Sequence, residues 1–210
     1  MTGRRPVGTR RAARAKGELL PIVSRRLLLR EFEPGDLGPL ERVATDRRVA
    51  VHSPARSRAL ALLTELAELG GRGRVRPTAR RRSFELAVVL RRRRLVIGAC
   101  DLALTGRGTA DFGYVLAPRH WGFGYGTEVA RALVDFAFGT LGLRRLIAVV
   151  AVENERSRRV LDKAGLRWDG LMRRHARVAG RWWDCHRYVI ERDTWLTARA
   201  YCTGTARVGS

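Results

Sequence analysis

The sequence predicts an α/β (α+β) domain built on a mixed, mostly antiparallel sheet, and three observations carry that reading. Strand-period segments follow one another directly between residues 83 and 116, the pattern of antiparallel hairpins. Helix-period segments then take over. A near-continuous apolar run, Leu146 to Val152, reads as a buried central strand.

In chain order, Arg26 to Phe32 is a strand candidate ended by Pro34-Gly35, and Asp36 is placed to cap a helix carrying Leu37, Leu40 and Ala44 on one face. A second helix is expected over 56–69, where Leu60, Leu63, Leu66 and Leu69 share a face, with an Arg-, Gly- and Pro-containing loop over 71–82. Phe84, Leu86, Val88 and Leu90 alternate with Glu85, Ala87 and Val89. Arg91 to Arg94 turn the chain, Leu95 to Leu104 return it, and Ala110 to Leu116 add a third strand ended by Pro118. Val129, Ala132, Leu133, Phe136 and Ala137 then mark one apolar helix face. After the 146–152 strand comes a short helix from Asn154 to Gly165, then strands at 166–171 and 185–191. The boundaries read as a basic tail over 1–24, a domain over 25–195 and a C-terminal tail over 196–210.

The chain has 210 residues, 45% of them hydrophobic, enough for one real core. Its net charge of +22 would attract phosphate-rich partners, a coenzyme or a ribosome among them. All the basic residues except Lys16 and Lys163 are arginine, so codon composition accounts for the excess equally well. Cys100, Cys185 and Cys202 are isolated, and His52, His120, His175 and His186 are scattered, so no metal site is expected. No apolar run reaches the ~18 residues of a membrane span, and no apolar stretch follows the basic N-terminus as in a secretory signal. The expected location is the cytoplasm.

The strongest chemical signal is the turn Trp121-Gly122-Phe123-Gly124-Tyr125-Gly126, between a strand and a helix. Glycines remove Cβ atoms where a backbone meets a ligand, and the N–H groups of a helix's first turn converge on an anion. The spacing alone also fits a tight bend. The antiparallel strands before it argue against a dinucleotide fold, and no Gly-Lys-Ser/Thr follows for a P-loop.

Three segments together resemble the GNAT acetyltransferase superfamily, in the branch of the ribosomal-protein-alanine N-terminal acetyltransferases. They are Gly113-Tyr114-Val115-Leu116-Ala117-Pro118 with Trp121 to Glu128, the run Val152 to Leu166, and Gly180-Arg181-Trp182-Trp183-Asp184 with Tyr188. The resemblance covers about residues 26–192, with Trp121 where the superfamily usually has Gln or Arg and Leu166 where the branch has Phe. It implies a GNAT-like sheet flanked by helices on both faces, acetyl-CoA as co-substrate, and direct acetyl transfer to a primary amine. The acceptor would be a protein N-terminus, such as that of a ribosomal protein, or a small amine.

By the same resemblance, Val115 and Leu116 would pair with the pantetheine amides. Trp121, Gly122, Phe123, Gly124, Tyr125, Gly126 and Thr127 would hold the pyrophosphate, and Asn154 and Ser157 would face the cofactor. Ser157 is a candidate proton donor to the sulfur, or a small packing residue; Asn154 is equally a helix N-cap. Asp111 is the candidate base, with Asp101 and Glu85 on neighbouring strands, although each also reads as an ordinary strand residue and water could serve. Arg156, Arg158 and Arg159 either touch phosphate or form a solvated face. Further expectations are a ribosome or RNA contact through the basic tail, no membrane partner, and a possible homodimer. A GNAT fold that has lost activity and binds nucleic acid or senses CoA is the rival reading.

Overall fold

The computed structural model describes residues 19–52, 82–178 and 180–204. Eight strands occur among them: β1 (Ile22–Val23), β2 (Leu27–Arg30), β3 (Ser83–Leu90), β4 (Leu95–Gly106), β5 (Thr109–Leu116), β6 (Arg145–Ala151), β7 (Arg167–Val178) and β8 (Arg181–Glu191). They form one sheet in the order β1-β2-β3-β4-β5-β6-β8-β7. Only β5 and β6 run parallel; every other neighbouring pair is antiparallel. The helices are α1 (Leu37–Thr45), α2 (Arg47–His52), α3 (Tyr125–Asp135), α4 (Glu155–Lys163) and α5 (Arg192–Gly204), with a π-helical turn, Phe136–Thr140, extending α3.

The sheet is covered on both faces, as the resemblance implied. On one, Val129, Ala130 and Leu133 of α3 and Leu161 of α4 pack with Leu86, Leu102, Phe112, Leu146 and Ile190 from the strands. On the other, Leu40 and Ala44 of α1 meet Ala87, Val89 and Ala99. Alternation along β3 and β4 feeds one core or the other with successive residues, which is why Leu86 to Leu90 and Val96 to Leu102 are buried without a break.

The one parallel pair is short. Thr109, Ala110 and Asp111 are in register with Arg145, Leu146 and Ile147, and no rung joins the two strands beyond that. From Phe112 and Ala148 onward β5 and β6 diverge. At the far end β5 instead leans on β4: Gly98 lies opposite Leu116, and a Cβ at Gly98 would land on the Val115 carbonyl oxygen. Only a residue without a side chain lets β5 come so close.

Several sequence expectations need correction. The sheet begins inside the segment assigned to the N-terminal tail, because Ile22 and Val23 pair with Leu29 and Leu28. Two residues are too few to show a strand period. The C-terminal tail boundary is also wrong, since α5 runs to Gly204 and is anchored by Trp195, whose indole packs on Phe138 and donates to Asp135 Oδ1 at 2.8 Å. Asp36 stands before α1 but makes no side-chain cap. Its buried carboxylate accepts both terminal nitrogens of Arg30, at 2.6 and 2.9 Å, and the Glu33 N–H. A bidentate guanidinium is the stronger partner, and it takes the oxygens a cap would have used. The last two strands pair as far as Val178 and Arg181, a longer hairpin than expected. The expected 56–69 helix lies outside the described residues, as do residues 1–18 of the basic tail.

Candidate active site

The turn between β5 and α3 is built by backbone conformation. Gly122 and Gly124 have φ of +83° and +78°, a region L side chains rarely adopt. Gly124 is the N-cap of α3 and makes no side-chain cap bond. The first bond of the helix runs from Glu128 N–H to Gly124 O, so the N–H groups of Tyr125, Gly126 and Thr127 have no partner within the helix. They converge at the positive end of the helix dipole. Gly126 is pressed between two elements: its missing Cβ would sit 3.2 Å from the Tyr114 ring and 3.3 Å from Val160.

Across the divergence of β5 and β6 stands α4. Asn154 caps it, accepting the Ser157 N–H at 3.1 Å on Oδ1. The Ser157 hydroxyl lies 3.3 Å from the Tyr114 phenol, joining α4 to β5. Burial pushes the Tyr114 phenol up to about 12, with the Ser157 hydrogen bond pulling the other way. The phenol therefore keeps its proton at neutral pH and can donate a hydrogen bond.

These elements enclose a cleft of about 620 Å³. One wall is the backbone of Tyr114, Val115 and Leu116, and another is the glycine turn with Tyr125 and Thr127. Asn154, Ser157 and Val160 of the α4 segment face them, and Val49 of α2 adds an apolar contact. Arg156, Arg159 and Lys163 supply positive charge. His120 also lines the cleft; burial, with Arg119 and Arg93 nearby, lowers its pKa, so the imidazole is neutral at pH 7. A free helix N-terminus, three cations and a strand edge with no neighbour in register suit an elongated ligand with an anionic end.

The family described as acetyltransferase (GNAT) domain matches residues 26–167. The chain belongs to that family. It is 28% identical over 175 residues to the uncharacterized N-acetyltransferase YnaD of Bacillus subtilis, covering 83% of this chain and 98% of that one. The fold is shared with Mycobacterium smegmatis RimJ in complex with CoA-disulfide (TM-score 0.63, 22% identity, 82% of this chain, 88% of that one). It is shared equally with spermidine N-acetyltransferase from Vibrio cholerae in complex with CoA and spermine (TM-score 0.64, 20% identity, 82% and 99%).

As a GNAT acetyltransferase the protein takes acetyl-CoA as co-substrate. Of the residues singled out from the sequence, Val115, Leu116, Trp121, Gly122, Gly124, Tyr125, Gly126, Thr127, Asn154 and Ser157 all line the one cleft. Phe123 does not; the residue is 61% exposed, and its carbonyl accepts Arg26 Nη1 at 2.9 Å. Asp111 does not either. It sits in the paired half of β5, three residues before Tyr114, ahead of the divergence. None of the described residues lining the cleft is a carboxylate. Trp121 plays a part not foreseen, its indole N–H holding the Leu116 carbonyl at 2.8 Å while Arg156 stacks on the ring at 5.3 Å. Arg156 and Arg159 face the cleft, whereas Arg158 turns to Tyr188.

Two contributors escaped sequence reasoning. Tyr114 lies in the Gly113–Pro118 segment, where a strand tyrosine reads as packing. Gly98 carried a usable signal, a lone glycine inside an apolar strand. Among the described residues no cluster of His, Cys, Asp and Glu could hold a metal, and no helix is long and apolar enough to cross a membrane.

Proposed function

We propose that this acetyltransferase acetylates the primary amine of a protein N-terminus, with the amine attacking the acetyl-CoA thioester directly. The N–H groups of Tyr125, Gly126 and Thr127 take the pyrophosphate, with Arg156, Arg159 and Lys163 around it. Val115 and Leu116 offer backbone groups to the pantetheine arm, the Leu116 carbonyl being steadied by Trp121. The amine nitrogen bonds to the acetyl carbon, the carbon–sulfur bond breaks, and the amine's extra proton leaves to water. Tyr114, backed by Ser157, donates a hydrogen bond to the departing thiolate. No covalent enzyme intermediate is involved. Asn154 acts through its cap, which places Ser157.

The observation that carries this reading is the convergence, in one cleft, of the free α3 N-terminus, the divergent β5 and the Tyr114–Ser157 pair. The net charge of +22 favours an N-terminus, including one presented on a ribosome, over a polycationic small amine. The described cysteines Cys100 and Cys185 are buried free thiols, which suits a reducing cytoplasm.

Coenzyme A release should be measured against short peptides with free N-termini and against spermidine at equal concentration. Turnover of peptides in preference to spermidine is expected; a preference for spermidine would overturn the acceptor assignment. The role of the phenol is checked separately. Tyr114→Phe should lower kcat by about 10- to 100-fold, with the KM for acetyl-CoA within about twofold of wild type. An unchanged kcat would remove Tyr114 from the chemistry.

A further inference from the structure

The Arg26 side chain meets the donor turn from outside the cleft. Its Nε donates to Glu128 Oε2 at 2.7 Å, its backbone N–H to Glu128 Oε1 at 2.6 Å, and its Nη1 to the Phe123 carbonyl at 2.9 Å. The guanidinium also lies over the Tyr125 ring, 4.4 Å from its centroid, and Nη2 stands 3.5 Å from where a Gly124 Cβ would be. One side chain thus touches Phe123, Tyr125 and Glu128 and stands beside Gly124. Ser24 Oγ adds a bond to Glu128 at 2.7 Å, so the β1–β2 connection and the first turn of α3 are tied together.

The charges make this more than a brace. Glu128 places a carboxylate in the first turn of a helix whose N-terminus is the anion site. Its side chain is only 14% exposed, so water screens it weakly. Although burial raises its pKa, hydrogen bonds from the Arg26 backbone, Ser24 and the guanidinium bring it below the ordinary value, and it is ionised at neutral pH. Left alone, that charge would repel a pyrophosphate.

We propose that Arg26 is a positioning residue for acetyl-CoA: it holds the 123–125 turn in its anion-accepting shape and neutralises Glu128 beside the pyrophosphate. The inference rests on the turn being the pyrophosphate site. Two donors separate this role from a general structural one, acetyl-CoA and S-acetyl-pantetheine, which has the thioester and no pyrophosphate.

Arg26→Gln should raise the KM for acetyl-CoA by about 10-fold or more, leaving kcat at saturation and kcat/KM for S-acetyl-pantetheine within about twofold. Adding Glu128→Gln should restore part of the lost affinity, because the uncompensated charge is then gone. Arg26→Lys, which keeps the charge but not the forked contacts, should fall between, and it serves if the glutamine variant does not fold. Equal losses with both donors, or an unchanged KM for acetyl-CoA, would overturn the proposal. If Gly126→Glu also leaves acetyl-CoA affinity intact, the pyrophosphate assignment has failed. If Gly126→Glu abolishes binding and Arg26→Gln does nothing, only the Arg26 role has failed.

Discussion

Gly126→Glu should weaken acetyl-CoA binding by at least about 100-fold, or about 2.7 kcal/mol, measured by calorimetry or by the donor KM. Two effects act together. Any Cβ at Gly126 must push on the Tyr114 ring at 3.2 Å and on Val160 at 3.3 Å, both of which line the cleft. The carboxylate then puts a negative charge at the helix end where the N–H groups of Tyr125, Gly126 and Thr127 await an anion. Gly126→Ala separates the terms, having the bulk without the charge; its loss should be about 3- to 10-fold. A Gly126→Glu enzyme that binds acetyl-CoA like wild type would mean the pyrophosphate lies elsewhere.

The second large effect is expected from a methyl group on the opposite side of β5. Gly98→Ala places a Cβ onto the Val115 carbonyl oxygen, and 2.9 Å from both Cα and Cδ2 of Leu116. Neither the β4 nor the β5 backbone can yield cheaply, since Ala117 N–H still bonds Ile97 O at 2.8 Å beside the contact. The expected cost is about 3 kcal/mol, a fall in Tm of roughly 6–12 °C for a chain of this size. The donor KM should rise as well, because the strand that must shift is the cleft wall at Val115 and Leu116. A Tm unchanged within a degree would show that β5 does not need this close approach.

What could be read before folding was local. The β3–β4–β5 hairpins announced themselves by alternation, the glycine turn by its spacing against the α3 period, and Asn154 by standing where a helix begins. What could not be read was whatever depends on chain crossings. Tyr114 and Ser157 are 43 residues apart, and Arg26 and Glu128 are 102, so no window of sequence contains either pair. Asp36 shows the competition at short range: its spacing fits a cap, and Arg30 six residues earlier outbids the helix for its oxygens. Asp111 lies outside the cleft for a related reason. Strand membership was right, but three residues along β5 separate the paired half from the divergent half, and the register with β6 decides which is which.

That register has a mechanical meaning. Among the described residues three rungs are the only strand pairing between the β1–β5 half of the sheet and the β6–β8–β7 half; the Arg144 and Arg145 N–H bonds to Gly108 O, the Tyr114–Ser157 contact and the shared core under α3 carry the rest of the connection. A ligand seated in the opening would touch both halves, β5 on one side and the Asn154–Lys163 segment on the other. Binding there would stabilise the fold by mass action, and more so the tighter the ligand is held.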